Sequence, residues 1–225
     1  MRRPTAERGD ATRERLLNAA IDVFGLNGFH GTTTRMLNEA AAVNQQAIPY
    51  YFGGKEGLYV AAAEHIGAVI SGKLTAPRQM LHDRLSRMDE GGEVIGDAEA
   101  RQMLTLGLQT FAGLMISDQS EPWARFIVRE QMAPTEAFDR IYAAVMRPML
   151  GIVCRLVAIL LSEDPDSEHV RLRALSLAGG ILVFRMARAA ALRTLAWEAI
   201  GDREIDVMRA HVADLVASFG HGRRS

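Results

Sequence analysis

A chain of 225 residues with 48% apolar and 24% charged residues has material for one large globular domain or two small ones. Its net charge of −1 excludes a histone-like protein that coats DNA by charge alone, and its single cysteine, Cys154, excludes an intramolecular disulfide and a cysteine zinc cluster. Cys154 falls on an apolar helical stripe and reads as an inert core thiol rather than a redox sensor. The polar stretch from Met1 to Arg15 lacks the apolar centre of a signal peptide. No run approaches the roughly 18 consecutive apolar residues of a membrane span, so a cytoplasmic protein is expected.

In chain order, Met1 to Ala11 carries Arg2, Arg3, Pro4 and Gly9. It reads as a mobile basic arm able to touch phosphates or a minor groove, or as a plain disordered tail. Thr12 to Asn27 is a helix, capped by Thr12, with Leu16, Ala20, Ile21 and Phe24 as its buried stripe; Gly28-Phe29 ends it. Gly31 to Lys55 is the stretch around which the chain is organised. Thr32 to Thr34 supply a hydroxyl-rich helix start, and Met36, Leu37, Ala40 and Ala41 recur at helical spacing. Ala42-Val43-Asn44 breaks this helix, with Asn44 placed to cap a second one from Gln45 to Tyr51. Gln45, Gln46, Tyr50 and Tyr51 hydrogen-bond without carrying charge. Two short helices across a tight turn, the second polar-faced, predict a helix-turn-helix whose second helix enters the DNA major groove. A polar surface helix alone would read the same way. Met1 to Lys55 holds seven basic and five acidic residues, +2 in all, which leaves −3 for the remainder: a mildly basic head on an acidic body. Lys55 lies at the start of the following helix, where a cation opposes the helix dipole unless an anion such as a phosphate joins it.

Glu56 to about Leu74 forms that helix, with Leu58, Ala62, Ile66 and Ile70 on one side, and Thr75-Ala76-Pro77 is expected to end it. A short helix over 78–88 follows, then a loop at Asp89-Glu90-Gly91-Gly92. Asp97 to Met115, Glu121 to Met132 and 136–161 are predicted helices, the last kinked at Pro148. Ser167 to Leu195 and Asp202 to Phe219 are the last two. No segment alternates with period two over a convincing length, so the expected class is all-α. The helix from Ser167 is apolar nearly all round between Ala174 and Ala191, with Gly179-Gly180 at its centre. It must bury one side against a thicker body or against a second copy. The second reading gives a homodimer interface at Ala178, Gly179, Ile181, Leu182, Val212 and Leu215.

Gly53-Gly54-Lys55-Glu56 fails as a phosphate-binding loop, because Pro49 and Glu56 stand where glycine and a hydroxyl residue are needed. No nucleophile elbow, zinc-protease or dinucleotide fingerprint occurs, and the six histidines lack ligand spacing, so neither a metal nor a cofactor is expected. In the body, Phe111, Trp123, Phe126, Met132 and Met186 with Arg129, Glu130, Arg185 and Arg188 read as an apolar small-molecule pocket holding a few fixed charges. The alternative is a filled core with a buried ion pair between Glu130 and Arg185 or Arg188. Two rivals belong to other classes: an enzyme using Glu130 and Arg129, and a constitutive DNA-binding protein with a filled core and no inducer.

Residues 13–66 resemble the N-terminal domain of the TetR family of bacterial transcriptional regulators. Gly28-Phe29, Thr32-Thr33, Ala41, Val43, Ile48, Tyr51-Phe52 and Lys55-Glu56-Gly57-Leu58 carry the likeness. Trp123 to Met132 with Met146-Arg147-Pro148 resembles the CecR-like branch. Ala42, Asn44 and Gln46 depart from the family's usual Gly, Ser and Gly. Pro49 departs too, and a proline inside the second helix costs a hydrogen bond. The resemblance implies a DNA-binding domain over residues 1–55 and a helical ligand-binding and dimerisation domain over 56–225. It implies a ligand-released repressor that binds a palindromic operator as a homodimer. Gln45, Gln46, Ala47 and Tyr50 would meet base edges, Ala47 against a thymine methyl. Thr33, Thr34, Asn44, Tyr51 and Lys55 would hold phosphates, with Arg35 adding nonspecific affinity.

Overall fold

The computed structural model describes residues 5–117 and 120–219, with side chains from residue 9 onward. Among the described residues every regular element is helical and no strand occurs. Eleven α-helices follow in order: α1 (Thr5–Gly31), α2 (Thr34–Ala41), α3 (Ala47–Phe52), α4 (Lys55–Asp89), α5 (Asp97–Ile116), α6 (Glu121–Met132), α7 (Glu136–Ile141), α8 (Arg147–Leu161), α9 (Glu168–Met186), α10 (Arg188–Leu195) and α11 (Asp202–Ser218). They pack into two compact units. One spans Met1–Ser71 and Glu121–Val145, the other Gly72–Ser120 and Met146–Ser225. The packing boundary therefore does not follow the 55/56 division read from the sequence, since α6 and α7 pack with the head.

Several boundaries differ from the sequence reading. The helix of the head starts at Thr5 and not at Thr12, so residues 5–11 are helical and not an arm; Arg2 and Arg3 lie outside the described residues. Pro77 sits inside α4 instead of ending it. The expected kink at Pro148 is a five-residue π segment, Tyr142–Met146, placed just before it, which leaves Pro148 in the first turn of α8. The helical run continues through the π segment, so Pro148, lacking an N–H, cannot donate to the Ala144 carbonyl, which instead accepts from the Ser71 hydroxyl at 3.0 Å. The expected single helix from Ser167 to Leu195 breaks at Ala187 (φ −108°, ψ 36°), and α9 and α10 meet at 88°. The stretch Glu136–Leu161 is long and apolar enough to cross a membrane by length and composition, with a mean hydropathy of 2.0 and 28% of its apolar window buried; core helices of globular proteins pass the same length and composition test. α8 buries Leu156, Val157, Ala158 and Leu160, as a core helix does.

In the first unit α1 presents Leu16, Leu17, Ala20, Ile21 and Phe24 to the core. Gly28 interrupts it with φ 71°, a conformation that costs an L-residue with a side chain of the order of 1–2 kcal/mol. A Cβ at Gly28 would also lie 3.1 Å from a guanidinium nitrogen of Arg129. At Gly25 α6 comes so close that a Cβ would meet the Pro122 carbonyl at 3.3 Å. Phe24, Phe29, Tyr59 and Phe126 fill the space between α1, α4 and α6, with Tyr59 edge-on to Phe24 at 4.8 Å and tilted against Phe126 at 4.7 Å.

In the second unit α5 packs on α8, α9 and α11. Arg101 donates to the Val216 and Phe219 carbonyls at 2.9 and 2.6 Å, closing the C-terminus of α11. Cys154 is half-buried, and burial pushes its thiol up, which disfavours the thiolate.

Replacing Gly28 by alanine is expected to lower the unfolding free energy by about 1–3 kcal/mol, through strain and displacement of Arg129. Urea denaturation followed by circular dichroism measures it; an unchanged midpoint would mean that the break tolerates a side chain.

Candidate nucleic-acid interface

The α2–α3 unit is built by local chemistry. Thr33 caps α2, its hydroxyl accepting from Met36 N–H at 3.2 Å. Leu37 and Ala41 are buried, and so is Asn38, in place of Met36 and Ala40. Ala42 ends α2 in the left-handed region (φ 51°, ψ 51°), where glycine would be unstrained. Asn44 turns the chain into α3 by accepting from Gln46 N–H at 3.1 Å. α3 starts only at Ala47, so Gln45 and Gln46 stand in the turn ahead of it. That start places Pro49 in the first turn, where no helical bond is lost, and removes the expected damage to the recognition helix.

Of the residues expected at DNA, Thr33, Thr34, Arg35, Asn44, Gln45, Gln46 and Tyr50 are exposed. Tyr50 is 80% exposed and stands edge-on to the half-buried Tyr51, ring centroids 4.9 Å apart. Ala47 is buried at 7% exposure and belongs to the core of the head, so it cannot meet a thymine methyl. Arg35 pairs with Glu39 at 2.7 Å across one helical turn. Lys55 is not turned toward a phosphate. Its ammonium donates to the Phe29 and Thr32 carbonyls at 3.1 and 3.0 Å and lies over the Phe29 ring at 4.2 Å. The anion expected near this lysine is thus replaced by carbonyl oxygens at the α1–α2 turn. A cleft of about 420 Å³ opens beside α3, bordered by Asn44, Gln46, Tyr50 and Tyr51 and, from α1, by Thr12 and Arg15.

The residues expected to line a ligand pocket have other occupations. Phe126 and Trp123 are core residues of the first unit. Arg129 donates to the Gly25 and Leu26 carbonyls at 2.8 and 2.6 Å, capping the main run of α1 where Gly28 ends it. Glu130 is 2% exposed and accepts from the Tyr59 hydroxyl at 2.5 Å and from the backbone and side chain of Thr135 at 3.1 and 2.9 Å. Burial and this carboxylate push the Tyr59 phenol up. Arg185 donates to the carbonyls of Met115 and Ser117 and to the Ser120 hydroxyl, closing the end of α5. Met132 and Met186 are 84% and 60% exposed. Phe111 and Arg188 are half-buried in the second unit.

The residues expected at a dimer surface differ in exposure. Ile181 and Val212 are each 1% exposed and serve the core of their own subunit, so neither faces outward. Ala178, Leu182 and Leu215 are half-buried. Gly179 is exposed, and a Cβ on it or on Gly180 would meet nothing within 4 Å. The outward face of α9 carries Leu172, Leu175, Val183 and Met186, each large, apolar and about half exposed.

The sequence matches the model of the bacterial regulatory proteins of the tetR family over residues 16–62. It matches the C-terminal domain of the HTH-type transcriptional dual regulator CecR over residues 100–223. The dual regulator CecR of Shigella flexneri is 29% identical over 205 residues, covering 91% of this chain and 89% of its own. The repressor NicS of Pseudomonas putida is 41% identical over 63 residues, 28% of this chain and 30% of its own. Among solved structures, a TetR-like regulator from Rhodococcus sp. RHA1 superposes with a TM-score of 0.60 at 20% identity, covering 96% of this chain and 100% of that one. FadR from Bacillus subtilis in complex with stearoyl-CoA does so with a TM-score of 0.56 at 16% identity, covering 92% and 98%. The chain belongs to the TetR family, with a C-terminal domain of the CecR type, and is a DNA-binding transcriptional regulator.

Ala42→Gly is expected to stabilise the protein by about 1 kcal/mol by relieving the left-handed residue, read as a raised urea midpoint. Lys55→Met removes two hydrogen bonds to carbonyls and is expected to cost about 1–3 kcal/mol. A Lys55→Met protein of full stability that binds all DNA more weakly would return Lys55 to the phosphates.

Proposed function

We propose that the protein is a repressor that binds a palindromic operator as a homodimer in the cytoplasm and releases it when a small molecule occupies the helical body. The observation that carries the DNA reading is the exposed polar edge formed by Asn44, Gln45, Gln46 and Tyr50 on a capped helix-turn-helix. Gln45 and Gln46 have the donor–acceptor pair that reads adenine N6 and N7 bidentately. Thr33, Thr34, Asn44 and the Tyr51 hydroxyl supply neutral hydrogen bonds to phosphates, which fix register. Two-fold symmetry would repeat this edge about one helical turn away, roughly 34–36 Å, so that a small change in head separation prevents both from docking.

Dimerisation is supported by the outward apolar face of α9, where four large residues and an open glycine pair remain uncovered within one chain. An effector is supported by a structural neighbour, FadR of Bacillus subtilis, which was crystallised in complex with stearoyl-CoA. A second reading, in which the same protein also activates, is favoured by the dual role named for the Shigella flexneri relative.

Fluorescence anisotropy with a duplex from the protein's own upstream region, against a random duplex, tests the proposal. Selectivity of at least about a thousandfold is expected, and equal affinities would contradict it. The double substitution Leu175→Glu, Val183→Glu is expected to convert a dimer, by light scattering, to the 24.7 kDa monomer. Retention of the dimer would move the interface off α9. Gln45→Ala should lose affinity for the operator by about tenfold while leaving random DNA unaffected; a parallel loss on both would remove Gln45 from the bases.

A further inference from the structure

The head must neutralise DNA phosphates, yet most of its cations are already committed. Of the arginines and lysines between residues 9 and 55, Arg35 is paired with Glu39, Lys55 is held by two carbonyls, and Arg13 lies over the Phe52 ring at 5.5 Å. Arg15 remains. Among the described residues it meets no carboxylate, and its one hydrogen bond is a long one of 3.4 Å to the Thr12 hydroxyl. It is exposed on α1 at the border of the 420 Å³ cleft, facing the edge that holds Asn44, Gln46, Tyr50 and Tyr51.

The cleft lies between α1, which contributes Thr12 and Arg15, and the α2–α3 turn with α3. α1 also extends beyond the expected start, without lining the cleft. The added turns run alongside α3, where a Cβ on Gly9 would lie 3.6 Å from the Tyr51 hydroxyl, and Arg13 lies over Phe52 one turn on. One wall therefore carries a guanidinium and a hydroxyl, and the other two phenols and two amides. This is an acceptor-seeking lining with one positive charge, matched to a singly charged phosphodiester.

We propose that this cleft is a seat for the DNA sugar–phosphate backbone beside the half-site, with Arg15 as its cation and Thr12 orienting the guanidinium. The assignment rests on the DNA-binding function already stated. It makes α1, and not only α2 and α3, part of the DNA surface. It also assigns the electrostatic contact expected of Lys55 to a residue that periodicity treats as the polar side of a core helix.

Anisotropy titrations over a series of salt concentrations test it with the full-length protein, using wild type, Arg15→Gln and Arg15→Lys on operator and random duplexes. Each phosphate contact contributes about 0.9 to the slope of log affinity against log salt. Arg15→Gln should flatten that slope by about one unit on both duplexes and weaken both by about tenfold, with unchanged thermal melting because the side chain is exposed. Arg15→Lys should restore the slope. A slope that Arg15→Gln leaves intact, or that Arg15→Lys fails to restore, overturns the assignment while leaving DNA binding in place. A wild type that binds neither duplex overturns both.

Discussion

The head depends on cations that close the carbonyl end of α1. The helix must stop at Gly28 so that the chain can turn into α2, and stopping exposes carbonyls with no intrahelical donor. Arg129 satisfies Gly25 and Leu26 from α6, and Lys55 satisfies Phe29 and Thr32 from the first residue of α4. Thr32, 1% exposed, adds a bond from its own hydroxyl back to the Gly28 carbonyl at 2.7 Å. The turn is only partly buried, so an unmet carbonyl there would cost up to about 1–3 kcal/mol where water cannot reach it and less where it can. The geometry of α2 and α3, and so of the DNA-reading edge, follows from this closure.

Two of the tethers come from α6, which makes that helix part of the head. Arg129 reaches α1, and the adjacent Glu130 is buried against Tyr59 of α4 and Thr135 at the entry to α7. A buried carboxylate with three donors is stable where it is and costly to leave half-satisfied. The pair therefore specifies one arrangement of α1, α4 and α6. The chain leaves this unit inside α4, after Ser71, and at the π segment before Met146.

Much of the helical order is legible in periodicity. The predicted helices at Asp97 to Met115 and Glu121 to Met132 coincide with α5 and α6 to within a residue, because each carries an apolar stripe and a clear break. The helix-turn-helix is legible because its caps, Thr33 and Asn44, are local in sequence. What is not legible depends on distant partners. The bond from Arg129 to Gly25 spans 104 residues and leaves no mark on either segment's pattern. Charged residues on apolar faces, Arg129, Glu130 and Arg185, therefore read as pocket lining, when they are caps and hydrogen-bond hubs. Pro77 reads as a stop and Pro148 as a kink because sequence does not show that a long helix tolerates one or that a π turn precedes the other.

The most direct test is native-state hydrogen exchange on the wild type and on Arg129→Ala. If α1 and α6 form one cooperative unit closed by this guanidinium, their amides share one level of protection in the wild type. Both should then lose it together in the variant, while those of α5 and α11 are unchanged. Loss confined to α6, with the C-terminal turns of α1 still protected, would contradict the closure and leave α6 a neighbour of the head rather than part of it.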